Sequence, residues 1–210
     1  MVAAALLNYS RPTLGEALDR LVQRGATAVT VLPYFLVAGH FTRVVLPQAL
    51  AVLQMAHPGL TLMQAAPLGV HPALVALVRQ RAVAGGAKRE SAVLLAAHGS
   101  RDPQDNAPIL AVAALLRAAG AFGAVSVGYL GLNEPSLPAA IAAAVTAGAR
   151  HLVVVPYLLQ LGKHTAEDVT AAVATARRGY PSVQIQLATP LGYDPLLVEV
   201  LATHRSRISE

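Results

Sequence analysis

The chain has seven histidines and no cysteines, and two of the histidines stand just past apolar runs. His98 follows Val93–Ala97 in the stretch AVLLAAHGSRDPQD, and His164 lies in GKHTAED, shortly after the run Leu152–Leu159. Without thiolates, a metal would have to be held by imidazole, carboxylate or water. Two neutral imidazoles hold a divalent first-row metal loosely, and an imidazole with a pKa of about 6.5 accepts a proton near neutral pH. Glu167 and Asp168 follow His164 by three and four residues, so one helical face could carry all three. Those acids would orient the imidazole or bind metal in an outer shell, or simply complement the positive end of a helix. Ser100 and Asp102 would contact substrate or form the turn and cap the next helix. A hydrolase triad of His98, Ser100 and Asp102 is disfavoured, because triads take their geometry from separate segments.

The pattern around these residues alternates strand and helix. It predicts strands at 92–97, 124–130, 151–156 and 183–188, with helices at 106–119, 136–147, 165–178 and 194–206. The strands are short and apolar throughout, as strands buried on both faces of a parallel sheet are. Such an alternation implies a right-handed, doubly wound sheet. His98 ends the first strand and His164 follows the third, so both fall at the carboxyl edge, where ligands of open α/β sheets bind. His151 begins the third strand and belongs at the opposite edge. His57, His71 and His204 occupy turn, helix-start or tail positions and receive no role.

The unit occurs twice. Pro33-Tyr34 returns as Pro156-Tyr157, Gly25-Ala26 as Gly148-Ala149, and Pro67-Leu68-Gly69 as Pro190-Leu191-Gly192, all at an offset of 123 residues. Without a gap, roughly 24 of about 81 aligned positions are identical. The expected organisation is a degenerate half over 1–84, a linker over 85–91 and a complete half over 92–210. The first copy is expected to begin at its second strand, Val2–Leu7. It continues with helix 13–24, strand 28–32, helix 42–56, strand 60–65 and helix 71–82. A counterpart of the central first strand would fall before Met1, from which a late recorded start or cover by a neighbouring chain is expected. The exposed strand edges would make this half the first to unfold and leave a homodimer open.

Composition narrows the partners. With 55% hydrophobic and 13% charged residues the chain is globular rather than disordered. The net charge is +5, yet the cations are scattered and tryptophan is absent, so nucleic acid is not expected. The longest apolar region, Ile141–Leu161, contains Arg150, His151 and Pro156 and is a helix end plus a strand, not a membrane span. MVAAALLNYS is not read as a signal peptide, and the cytoplasm is the expected location.

HGSRDPQDNAPI, NEPSLPAAI, VVVPYLLQLGKHTAED and PLGYDPLL together resemble the sirohydrochlorin chelatase family, the class II, CbiX/SirB-type chelatases. The resemblance covers nearly the whole chain. It implies a chelatase-like α/β fold of two flavodoxin-like halves, with tetrapyrrole and metal bound in the cleft between them. It further implies insertion of Co²⁺ or Fe²⁺, with Ni²⁺ third in order, without ATP and without a permanently bound cofactor. The family's metal-binding histidines correspond to His98 and His164. Two imidazoles would leave coordination positions open for pyrrole nitrogens, and the reaction releases two pyrrole protons that an imidazole can accept.

The first copy departs from the pattern. Phe41 stands opposite His164, Val45 opposite Asp168, and His40 is displaced by one residue. Metal is therefore expected only in the second half. Arg43, His40 and Asn8 are expected to line the cleft, and Ser100, Arg101 and Lys163 to meet the substrate, the two cations through its carboxylates. A non-catalytic carrier of metal or tetrapyrrole is the alternative, and a small hydrolase a third reading.

Overall fold

The computed structural model describes residues 1–7, 10–160 and 162–206. In chain order they form α1 (Leu14–Gln23), β1 (Ala28–Val31), α2 (Leu46–Ala56), β2 (Thr61–Gln64), α3 (Pro72–Ala84) and β3 (Ala92–Ala97). There follow α4 (Ala107–Ala118), β4 (Ala124–Tyr129), α5 (Leu137–Thr146), β5 (His151–Pro156), α6 (Lys163–Gly179), β6 (Gln184–Leu187) and α7 (Pro195–Ser206). A π-helical turn, Phe41–Val45, leads into α2, and a 3₁₀ turn, Pro103–Asn106, leads into α4. No helix among the described residues is long and apolar enough to cross a membrane. Tertiary contacts divide the chain into a first unit, Met1–Pro67 with Leu201–Glu210, and a second, Leu68–Val200.

The second unit is built on a parallel sheet of order β4-β3-β5-β6. β3 is central because AVLLAA offers nothing polar to either face, and all six of its residues are buried. Alternation sends Leu94 and Ala96 to one face, where they meet Ile141 of α5, Val173 of α6 and Leu152 and Val154 of β5. α3 and α4 pack against each other, and against β5 and β4 respectively. Each fully buried Leu or Val contributes about 1.5–3 kcal/mol. Arg81 of α3 donates to the carbonyls of Pro190 and Leu191 at 3.0 and 2.7 Å and pairs with Asp194 at 3.0 Å. This ties α3 to the loop before α7. The helix that the repeat assigns to the first copy thus packs within the second unit.

At the amino edge of this sheet, His151 is fully engaged. The Lys88 N–H donates to Ser91 Oγ at 2.8 Å, Ser91 Oγ lies 2.7 Å from His151 Nδ1, and His151 Nε2 lies 3.0 Å from Gln186 Oε1. This is the edge expected for it.

The first unit has a two-stranded parallel sheet, with Ala28 opposite Thr61. α1 opens with a capping box: Thr13 Oγ1 accepts from the Glu16 N–H, and Glu16 Oε2 accepts from the Thr13 N–H at 2.8 Å. The latter bond holds the Glu16 carboxyl below the usual carboxylate range. Ala17, Leu18 and Leu21 of α1 and Leu46 and Leu50 of α2 are buried. The strand expected over Val2–Leu7 is not formed; only Leu6 makes a bridge, to Thr13. Its repeat counterpart β4 pairs with β3 alone, and the described residues of the first unit contain no equivalent of β3. A strand without a ladder partner leaves its backbone groups to water and does not persist.

The duplication survives in local geometry. The Leu6–Thr13 bridge matches Tyr129–Ser136, the peptide bonds before Pro12 and Pro135 are both cis, and Gly25 and Gly148 stop their helices at φ 90° and 94°.

Candidate functional site at the carboxyl edge of the second sheet

β3 carries the chain from fully buried positions to an exposed His98 in one step. The chain then turns at Gly99, whose φ of 86° suits glycine. A methyl group on Gly99 would overlap the Gly131 carbonyl oxygen and lie 2.7 Å from Asn133 Oδ1. The Ser100 N–H donates to that same Asn133 Oδ1 at 2.7 Å, and the Ser100 hydroxyl donates to Asp105 Oδ2 at 2.7 Å. Asp105 is buried. Asp102 accepts the Gln104 N–H at 3.0 Å and caps the 3₁₀ turn. Arg101 is exposed.

β5 leaves the sheet beside β3, with Pro156 opposite Ala96 and the Tyr157 N–H bonded to the Ala96 carbonyl at 2.8 Å. The chain reaches α6 at Lys163, after Gly162 at the N-cap. Lys163, His164, Glu167 and Asp168 are all exposed on its first turns. The His164 side chain is 95% exposed, and its Nδ1 lies 3.8 Å from Glu167 Oε2. Among the described residues no group of three or more His, Asp or Glu side chains forms a ready-made metal cage. The Tyr157 phenol is buried without a hydrogen-bond partner among the described residues, and burial pushes its pKa up.

The structure therefore sets His98 in the loop after β3 and His164 in the first turn of α6, past the same edge of adjacent strands. The Ser100 hydroxyl bonds Asp105 and Asp102 caps the 3₁₀ turn, while the Ser100 N–H reaches across to Asn133. His40 and Arg43 lie in the first unit, where His40 is exposed with its ring edge-on to Phe41, and Arg43 sits in the π-helical turn. Asn8 lies outside the described residues.

Sequence reading missed three contributors at this edge. Asn133 and Asp105 hold the loop after His98; the quoted segments NEPS and DPQD contain them, but nothing local shows that their side chains reach back to Ser100. Tyr193 is 79% exposed and its hydroxyl accepts from Gln160 Nε2 at 3.1 Å, linking the loop before α7 to the loop that delivers His164.

The sirohydrochlorin cobaltochelatase of Priestia megaterium is 23% identical to this chain over 206 residues, covering 96% of this chain and 67% of that protein. The sirohydrochlorin ferrochelatase of the same organism is 26% identical over 201 residues, covering 93% and 73%. The structure of SirB from Bacillus subtilis with Fe³⁺ matches with a TM-score of 0.87 at 22% identity, over 97% of this chain and 80% of that one. The fold is therefore the one seen in that SirB structure. The CbiX family model matches residues 1–84 and 92–208, and the chain belongs to the CbiX family.

Proposed function

We propose that the protein is a metallochelatase that inserts a divalent metal, Co²⁺ or Fe²⁺ before Ni²⁺, into sirohydrochlorin or a related tetrapyrrole without ATP. The observation that carries this reading is the pair of exposed histidines beyond the carboxyl ends of two adjacent parallel strands, in a chain of this family. The relatives' names, one a cobaltochelatase and one a ferrochelatase, support either metal.

His98 and His164 would hold the incoming ion through imidazole nitrogens. Two such ligands leave the remaining coordination positions to water and then to the macrocycle, so the ion can be passed on. Insertion exchanges one M²⁺ for two pyrrole protons, and an imidazole released by the metal can accept one of them. Glu167 would orient His164 across the 3.8 Å gap, and Asp168 would act as an outer-shell carboxylate. Arg101 and Lys163 flank the histidines and would meet peripheral carboxylates. Ser100, His40 and Arg43 remain candidate substrate contacts.

The test is the visible spectrum of sirohydrochlorin mixed with Co²⁺, Fe²⁺ or Ni²⁺, with and without the protein. Many equivalents of metallated product per protein are expected. A change that stops at one equivalent would identify a carrier, and an unchanged rate would retire the chelatase reading.

Arg101→Ala and Lys163→Ala should each raise the KM for the tetrapyrrole about three- to fivefold with little change in kcat. Exposed ion pairs contribute at most about 1 kcal/mol, and binding common to ground and transition states appears in KM. The effect should shrink with added salt. A KM that is unchanged or insensitive to salt would remove the electrostatic role.

A further inference from the structure

Leu132 is the one non-glycine residue with positive φ, 65°, among the described residues. The Asn133 N–H donates across it to the Gly131 carbonyl at 2.8 Å, closing a three-residue γ-turn in its rare, strained form. Leucine has no polar side chain to ease a left-handed backbone. Nor does burial compensate, since Leu132 is 63% exposed. Conformations of this kind persist where the surroundings over-determine them, and they cluster at functional sites.

Both ends of this turn press on the residue after His98. The Gly131 carbonyl oxygen and Asn133 Oδ1 close over the Cα of Gly99, and Asn133 Oδ1 accepts the Ser100 N–H at 2.7 Å. One residue earlier, the Leu130 N–H donates to the Ala97 carbonyl at 2.8 Å. The backbone is thus held on either side of His98, at Ala97 and at Ser100, while its side chain stays exposed. For an exposed imidazole, the anchoring of its own backbone is the main restraint on where its nitrogens lie. The next helix does not need this bond: α5 is capped by Ser136, whose N–H is met by Glu134 Oε2 at 2.6 Å.

We propose that Asn133, presented by the strained turn at Leu132, is a positioning residue for His98; this rests on the chelatase reading above. It touches neither metal nor tetrapyrrole and acts only through the loop His98-Gly99-Ser100.

The test compares Asn133→Ala, which removes the acceptor, with Asn133→Asp, which keeps an oxygen at the same reach. Steady-state insertion of Co²⁺ into sirohydrochlorin is measured with thermal unfolding of each variant. Small displacements of a reacting group cost up to about a hundredfold in rate. The expected result for Asn133→Ala is a kcat below about one tenth of the unmodified value, with KM for the tetrapyrrole within about twofold. Asn133→Asp should recover most of that kcat. The proposal is overturned if Asn133→Ala keeps more kcat than that, if its loss falls mainly in KM, or if Asn133→Asp does no better. It is equally overturned if both variants lose activity in step with thermal stability. If the unmodified protein shows no turnover, the chelatase reading itself fails. Titration with Co²⁺ alone, followed by its visible absorption, then decides separately whether Asn133→Ala weakens metal binding at His98, and unchanged Co²⁺ affinity would sink the positioning role.

Discussion

Proteins carrying His98→Ala or His164→Ala should insert metal at less than about one hundredth of the unmodified rate, the range general acid–base groups supply. Either change leaves the ion a single protein imidazole and removes one proton acceptor at the same time. The fold should not notice. His98 is exposed and the His164 side chain is 95% exposed, so thermal stability should stay within about 0.5 kcal/mol. If the two rings act as one unit, the double variant should be no slower than the slower single variant. Initial rates and circular-dichroism melts check both statements. Metal-dependent turnover that survives both replacements would mean that the ion is held elsewhere.

Gly99→Ala should be the most damaging small substitution in the second unit. At φ 86° a side chain strains the backbone, which by itself costs about 1–3 kcal/mol. The new methyl would also overlap the Gly131 carbonyl and crowd Asn133 Oδ1 at 2.7 Å, and one neighbour is backbone that cannot swing aside. We expect a loss of at least about 2 kcal/mol in urea unfolding, with activity falling further than stability because the loop after His98 must shift. Gly131→Ala is the control. Its Cβ would meet nothing within 4 Å and its φ is not positive, so it should be near neutral. A Gly99→Ala protein as stable and active as that control would show that the loop is not locked as described.

The elements of the second unit could be read from sequence because each is specified locally. An uninterrupted run such as AVLLAA fits only a strand covered on both faces, and Ser136 and Gly148 bracket α5 with chemistry that does not depend on the rest of the fold. The location of His98 and His164 followed from the same logic, since a strand's end fixes which edge its next residue reaches. What stayed hidden depends on partners distant in sequence. Residues Val2–Leu7 have strand-like composition, and the repeat already placed the partner strand's counterpart outside the chain, but composition alone does not show that a run without a ladder partner among the described residues stays unpaired. The packing of α3 on β5 and α4 is set by surfaces far along the chain. The left-handed Leu132 could not be foreseen, because leucine is a residue that local rules place elsewhere, and the bonds around it, from Leu130 to Ala97 and from Ser100 to Asn133, join segments distant in sequence.

The chain Lys88–Ser91–His151–Gln186 supplies the molecule with an internal spectroscopic reference. Gln186 Oε1 can only accept, so His151 Nε2 carries a hydrogen toward it, while Nδ1 lies 2.7 Å from Ser91 Oγ, which also accepts from the Lys88 N–H. A ring proton fastened in this way exchanges slowly with water, whereas those of exposed rings such as His98 and His164 exchange fast. In a nitrogen-15 spectrum of the imidazoles, His151 should therefore stand apart as a single sharp tautomer. It marks the amino edge of the sheet, and a metal added at the carboxyl edge should broaden the other two signals while leaving this one in place.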